Sequence, residues 1–337
     1  MSHKSIEKVA IVVPNFNGQE YLAAAIDSLL DQTLSATVIV VENGSKDNSD
    51  DVLASYGDRI VVIKNEKNLG FAGGVNTGIT YAINHSFALV ALFNNDAVAA
   101  PDWLESLADT INERSDAGIV TGQIQLTGNE LLDSTGEFYT NWGLPFPRGR
   151  GMPTASFPRK EEVFGASGGA SLYRTAVLHQ IGMFDDTFFA YYEDTDVSFR
   201  AQLMGWKVVY TPKAITTHRQ GETSKFMVRG FTVYQTFKNL PMLFTKNVPR
   251  KLLLPIGARF YFAYCLIFAK AVLNGKGWPA ARGVWAAICL IPHSFRERRH
   301  IQRNIKVSAD YIKQIIIHDL PPDQTGLRKL RNIFTRK

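Results

Sequence analysis

Three carboxylates and an arginine crowd one short stretch, Phe189-Ala-Tyr-Tyr-Glu-Asp-Thr-Asp-Val-Ser-Phe-Arg200, which holds Glu193, Asp194 and Asp196. Carboxylates this close repel one another and are costly to desolvate. A cluster beside an aromatic run therefore implies a proton or a cation to handle. A second acidic centre, Asp96, closes the apolar run 88–93 in Phe93-Asn-Asn-Asp96. A carboxylate just past a buried strand suits Mg²⁺ or Mn²⁺, which take oxygen ligands and bridge to substrate phosphates. Its plainer reading is a turn or capping aspartate before the helix that Pro101 opens. His218, in Thr216-Thr-His-Arg-Gln-Gly221, can add a nitrogen ligand, although alone it reads as an ordinary surface histidine. Together these groups point to transfer of a group from a cation-bound diphosphate donor.

The elements that must position them are legible from periodicity. Apolar runs predict strands at 9–13, 37–41, 60–63, 88–93 and 117–121, alternating with helices at 20–30, 47–56, 70–84 and 101–113. That alternation predicts an α/β fold, a mainly parallel sheet flanked by helices, with ligands at the carboxyl ends of its strands. At those ends stand Asn15 and Asn17, then Glu42, Asn43 and Ser45, then Asn65 and Asn68, then Asn94, Asn95 and Asp96. Strand-end turns are polar in any case. The recurrence at four successive ends is what points to one crevice. Residues 123–162 break the pattern and read as a hairpin and a mobile loop. The chain returns to the sheet at 162–173, with helices at 176–181 and 195–204, a strand at 207–210, and helical patterning beyond 226.

In this order the motifs resemble glycosyltransferase family 2, the inverting enzymes of the GT-A fold. The matching pieces are Val13-Pro-Asn-Phe-Asn17, Val40-Val-Glu-Asn-Gly-Ser-Lys-Asp-Asn-Ser49, Asn68-Leu-Gly-Phe-Ala-Gly-Gly-Val-Asn-Thr-Gly78 and Phe93-Asn-Asn-Asp-Ala-Val-Ala-Ala-Pro-Asp-Trp103. Phe164-Gly-Ala-Ser-Gly-Gly-Ala-Ser-Leu-Tyr-Arg174, the acidic stretch, Gly205-Trp-Lys-Val-Val-Tyr210 and His218 continue the series, so the likeness runs over residues 8–240. Within the family the chain is most similar to a bacterial rhamnosyltransferase-like branch that builds cell-surface polysaccharides.

The resemblance implies roles. Asp194 would be the general base on the acceptor hydroxyl, with Glu193 orienting the acceptor or raising the base's pKa. Asp96 would hold the cation, Mg²⁺ or Mn²⁺, with His218 as second ligand. Donor contacts would come from Pro14, Asn15, Asn17, Glu42, Asn43, Asn68, Gly70, Asn76 and Asn95, with Glu42 at the nucleoside base. Arg200 would neutralise the acidic cluster. The donor would be dTDP-L-rhamnose and the acceptor a polyprenyl-diphosphate-linked saccharide. The chain departs from the family in three ways. Glu42 stands where Asp is more usual, Asn94-Asn95-Asp96 offers one carboxylate where many relatives have two, and the processive Gln-x-x-Arg-Trp signature is absent, which argues for adding a single sugar.

Composition bounds the rest. The 337 residues are 45% hydrophobic and 20% charged, ordinary for a folded chain. They suit one catalytic domain, residues 1–225, and a smaller region, residues 226–337. Cys265 and Cys289 lie far apart in apolar surroundings and read as packed thiols of a reducing compartment. The polar N-terminus and the short apolar run after it are too short for a signal peptide or a membrane span, so a cytoplasmic location is expected.

The net charge of +6 hides an asymmetry: residues 246–337 hold 18 Lys+Arg against 4 Asp+Glu, and residues 1–245 hold 19 against 27. A basic region of this kind implies an anionic partner surface. The apolar runs at 252–273 and 278–291 are broken by Pro255, Arg259, Lys270 and Arg282, short of the roughly 20 uninterrupted residues of a spanning helix. They read as amphipathic helices on the anionic inner face of a plasma membrane, with packing against the catalytic body as the plainer reading. A homo-oligomer is compatible with all of this.

Other classes fare worse. A dinucleotide-binding oxidoreductase needs G-x-G-x-x-G after a strand, and Gly70-Phe-Ala-Gly-Gly74 has the wrong spacing. A nucleic-acid-binding module would use the basic tail but leave Glu193, Asp194 and Asp96 without work. A sugar-nucleotide binder without catalysis would not need Asp194.

Overall fold

A strand covered on both faces must be apolar at nearly every position. β1 (Val9–Asn15), β2 (Thr37–Glu42) and β4 (Leu89–Phe93) meet that demand and are buried almost throughout. The computed structural model describes residues 8–128, 130–219 and 228–318. α1 (Gln19–Leu30) follows β1, α2 (Ser49–Ala54) follows β2, and α3 (Gly70–Asn84) follows β3 (Val61–Lys64). After β4 come β5 (Ala97–Ala99), α4 (Trp103–Glu113) and β6 (Ala117–Leu126).

The 123–162 stretch holds three-residue strands, β7 (Leu132–Ser134), β8 (Glu137–Tyr139), β9 (Pro145–Pro147) and β10 (Glu161–Val163). β11 (Ala170–Arg174), α5 (Thr175–Ile181), α6 (Glu193–Leu203) and β12 (Lys207–His218) complete the α/β part. The sheet runs β10-β12-β6-β11-β4-β1-β2-β3, with β5 on β12 and β7 on β6.

The sheet is mainly parallel, as expected: β6 and β12 pair parallel and run the same way as β4, on the far side of a reversed β11. β4, β1, β2 and β3 are parallel neighbours, as repeated helical crossovers require. β11 lies antiparallel between β4 and β6. The chain reaches it through the short strands rather than a helix, so it re-enters reversed. β12 runs to His218, well past the expected end at 210, because the strand resumes at Ile215 after a register shift around Pro212. His218 thus ends a strand instead of sitting in a loop.

Two cores cover the sheet. Leu22, Ile26, Leu104, Leu107 and Ile111 pack on one face. Val75, Ile79, Val177 and Ile181 pack on the other. A third core joins Tyr139, Phe164, Phe188 and Phe199 to the C-terminal helices through Leu243, Phe244, Phe260 and Ile301.

Those helices are α7 (Phe231–Asn247), α8 (Leu253–Leu273), α9 (Gly277–Cys289), α10 (Ile291–Arg303) and α11 (Ala309–Ile315). The expected boundary at 225/226 lies outside the described residues. Two expectations are corrected here. Pro255 falls in the first turn of α8, where its missing N–H costs nothing, so the helix is not broken. By length and composition residues 250–273 are long and apolar enough to cross a membrane. Cys265 and Cys289 are exposed rather than packed, because both fall on the outer sides of α8 and α9.

Candidate functional site

The strand ends and the start of α6 enclose a cavity of about 660 Å³. Pro14, Asn15, Asn43, Asn68, Gly70, Asn95, Asp96, Glu193, Asp194 and His218 all line it. Three of the expected site residues lie off its wall. Glu42 is 5% exposed and its carboxylate is occupied by the Asn15 amide at 2.6 Å and the Ser45 N–H at 2.8 Å. The Asn95 amide donates in turn to Asn15, so Glu42 anchors a relay of amides that reaches the cavity. The Asn17 side chain accepts from the Lys46 N–H and braces the loop. Asn76 donates to the Phe184 carbonyl and Asp186, pinning the segment that leads to the acidic stretch.

That segment carries unusual backbone strain. Phe189, Tyr191 and Tyr192 all have φ near +60 to +75°, and Phe189 has ψ −61°. Such conformations cost non-glycine residues about 1–3 kcal/mol each and persist only where surroundings impose them. Here α7 imposes them. The Asn239 amide donates to the carbonyls of Phe188, Ala190 and Tyr191 at 2.8–3.0 Å. The Lys238 ammonium donates to those of Thr187 and Phe188. On the other side the Ala72 N–H donates to the Phe189 carbonyl, an approach that leaves no room for a Cβ at Gly70, itself at φ +74°.

The turn delivers Glu193 and Asp194 to the cavity as the first residues of α6. Asp194 accepts from the backbone N–H groups of Thr195 at 2.7 Å and Gly168 at 3.2 Å, which fix the carboxylate. Glu193 is 6% exposed, and its Oε2 has no partner among the described residues. Burial, then the charge of Asp194, pushes Glu193 up to about 8. Burial also raises Asp194, against those N–H bonds. Asp196 does not join them, because positions two apart on a helix face different ways. It is fully buried against Arg200 at 2.8 Å and Lys246 at 3.0 Å. Arg200 therefore neutralises one member of the cluster, the one turned away from the cavity.

At the other end of the cavity the His218 Nε2 lies 3.1 Å from Asp96, and its Nδ1 lies 2.8 Å from Asp133. Burial pushes the imidazole down, but its bonds to Asp133 and Asp96 and their charges outweigh this and lift it to about 9. Among the described residues no group of three or more His, Cys, Asp or Glu is arranged to hold a metal ion. The donor set still fits a divalent cation: one carboxylate and one imidazole nitrogen face a shared cavity, leaving other positions to substrate oxygens. With a cation bound, Asp133 on the far ring nitrogen would fix the tautomer that leaves Nε2 unprotonated toward it.

Sequence reasoning missed Asp133, Glu137 and Arg150, which also line the cavity. They sit on or beside strands of three residues, too short for periodicity to find. The one signal was an Asp and a Glu close together in an otherwise Gly- and Thr-rich stretch.

Comparison with known proteins places a family on the first half of the chain. Residues 10–182 match the family model described as glycosyl transferase family 2. An uncharacterised glycosyltransferase of Rickettsia typhi is 26% identical over 57% of this chain and 58% of its own length. A glucosyl-dolichyl phosphate glucuronosyltransferase of Haloferax volcanii is 30% identical over 35% of this chain and 38% of its own. The chain thus spans about half, or less, of the length of these curated relatives. Among solved structures, S. aureus TarS 1–349 in complex with UDP superposes with a TM-score of 0.56 at 14% identity, covering 91% of both chains. GalNAc-T7 with UDP, GalNAc and Mn²⁺ superposes at 0.57 and 15%, covering 72% of this chain and 48% of that one. At such identities these two speak to the fold alone.

Proposed function

Because the chain belongs to glycosyl transferase family 2, we propose that it is an inverting glycosyltransferase that moves a single sugar from a nucleotide donor to a saccharide acceptor. The observation that carries this reading is one cavity lined by Asp96 and His218 as well as by Asp194 and Glu193. The mechanism is one displacement. The acceptor oxygen attacks the anomeric carbon, the bond from that carbon to the diphosphate oxygen breaks, and Asp194 takes the hydroxyl proton. Asn15, Asn43, Asn68 and Asn95 hold the nucleotide, with Pro14 and Gly70 shaping the wall. Asp96 and His218 would hold Mg²⁺ or Mn²⁺, whose charge stabilises the leaving diphosphate. Support comes from the Mn²⁺ and UDP in the GalNAc-T7 structure and the UDP in that of TarS.

The donor we propose is dTDP-L-rhamnose, on the motif resemblance alone; the UDP-bound neighbours favour a uridine donor as the second reading. The test is nucleoside diphosphate release from dTDP-rhamnose, UDP-GlcNAc, UDP-galactose and GDP-mannose, with a lipid-linked GlcNAc acceptor and with Mn²⁺ or EDTA. One donor turned over only with the metal is expected; turnover of none overturns the proposal. Asp133→Asn should weaken Mn²⁺ binding in the presence of UDP by about 10–100-fold, read by titration calorimetry, because the His218 ring loses its orienting carboxylate. An unchanged affinity would remove His218 from the metal site.

We propose further that residues 226–337 seat the enzyme on the cytoplasmic face of an anionic membrane, where a polyprenyl-linked acceptor is presented. Trp278, Trp285 and Phe295 are 75%, 67% and 58% exposed, beside Lys276, Arg282, Arg296 and Arg299. The Haloferax relative, named for a glucosyl-dolichyl phosphate, supports a lipid-linked acceptor. Trp278→Glu with Trp285→Glu should cut sedimentation with phosphatidylglycerol vesicles by about tenfold or more, since each buried indole is lost to a charge. Equal sedimentation of both proteins would sink the membrane reading.

A further inference from the structure

A third carboxylate looks into the cavity beside Asp194. Glu137 is the first residue of β8, and its backbone is tied at both ends, its N–H to the Gly165 carbonyl at 2.7 Å and its carbonyl to the Gly165 N–H at 3.1 Å. The residue is 8% exposed and lines the cavity, so its carboxyl group opens onto the cavity rather than into the core. Arg150 is a cation whose charge reaches it. That guanidinium is committed to Asp133, at 2.8 Å from the carboxylate and 3.2 Å from the carbonyl. In the same cavity Glu193, nine-tenths buried, has an Oε2 without a partner among the described residues.

A buried acceptor left without a donor is costly, so the Glu193 oxygen calls for a donor that enters the cavity, and the Glu137 carboxyl group on the same wall is open to the same donor. Burial and the charge of Asp194 hold Glu137 well above the usual carboxylate range, which fits a group awaiting a partner. The remaining wall here is aromatic, Phe146, Tyr192 and Phe231, and offers faces to the apolar side of a sugar ring.

We infer that Glu137 and Glu193 together form an acceptor subsite that hydrogen-bonds hydroxyl or amide donors of a pyranose next to the hydroxyl that Asp194 deprotonates. This deepens the transferase reading and rests on it. The chemistry selects a neutral or amino sugar with at least two free hydrogen-bond donors beside the reacting one. It rejects a uronic acid there, because a fourth carboxylate would meet three.

The experiment uses the full chain with UDP and Mn²⁺, and reads binding by saturation-transfer NMR with methyl β-glucopyranoside, methyl N-acetylglucosaminide and methyl glucuronide. Transfer kinetics are read in parallel with whichever donor turns over. Wild type should bind the neutral glycosides and not the glucuronide. E137Q should bind the neutral ones up to about tenfold more weakly, the loss of one hydrogen bond to the carboxyl group, and should discriminate less against the glucuronide. Its UDP affinity and its melting temperature should match wild type, with the effect on transfer falling on the acceptor KM. E137D should recover part of the binding.

Identical glycoside profiles for wild type and E137Q, including no saturation transfer from either, would overturn the subsite. So would a loss of UDP binding and melting temperature in step with activity, the mark of a structural role. Altered glycoside binding in E137Q without turnover by wild type would keep the subsite and sink the transferase reading instead.

Discussion

Asp194→Asn should lower sugar transfer by about 10²–10⁴-fold, the range of a general base removed from its proton, while nucleotide binding stays at the wild-type level. The substitution is nearly isosteric, and the amide oxygen can keep the shorter bond from the Thr195 N–H, while the longer one from the Gly168 N–H to the other oxygen is given up. What is lost is the basic oxygen. The effect should fall on kcat rather than on the donor KM, since Asp194 would act only as the acceptor proton leaves. Single-turnover product formation and UDP titration separate the two. Retained turnover in D194N would remove Asp194 as base and leave Glu193 as the next candidate.

The pH profile of the wild type carries the same argument. A base must be ionised to act, and burial raises both Glu193 and Asp194, with Glu193 at about 8. The pair titrates together. Turnover should therefore climb as pH rises through the raised range and be low near pH 5, where an exposed carboxylate would already be ionised. Lys238, pushed down by burial to about 8 against the pull of Glu193 and Asp185, titrates in the same window.

How much of this was legible depends on how local the cause is. The βα units were readable, because strands buried on both faces need unbroken apolar runs and helices such as α4 show a strong apolar stripe. The Asn and Asp residues at the strand ends were readable for the same reason: once the strands were placed, their ends were too. The reversed β11 was not, since nothing in Ala170–Arg174 itself records direction. Glu137 was hidden in a three-residue strand. Asn239 and Lys238 were hidden for another reason: they act on a turn about fifty residues upstream, and no spacing rule links the two. Asp196 was misgrouped because adjacency in sequence was taken for adjacency in space; the helix turns it away from Asp194.

Lys246→Met is expected to destabilise the fold by about 3–5 kcal/mol, the cost of leaving buried charges without their partner. Lys246 is 1% exposed, and its ammonium reaches Asp185 at 2.6 Å and Asp196 at 3.0 Å. Asn247 donates to Asp196 and His293 lies 2.9 Å from Asp185, so helices α7 and α10 both close on these two carboxylates. Asp185 precedes the strained turn and Asp196 lies in the first turn of α6, so the network grips both sides of the residues that present Asp194. Burial would raise both aspartates, but Lys246, with Arg200 for Asp196, pulls them below the ordinary carboxylate range. A depressed folded pKa gives stability that is present above the unfolded value of about 4 and lost as pH falls through the folded one. Wild type should thus lose stability steeply below about pH 4. K246M, with its aspartates less depressed and only Arg200 left as cation on Asp196, should show a flatter acid limb and a much lower plateau at pH 7. Urea unfolding at pH 7, 5 and 3.5 reads both quantities. A plateau within about 1 kcal/mol of wild type would mean that water reaches this network, and that the basic C-terminal helices are an appendage of the α/β part rather than the wall that holds its catalytic turn.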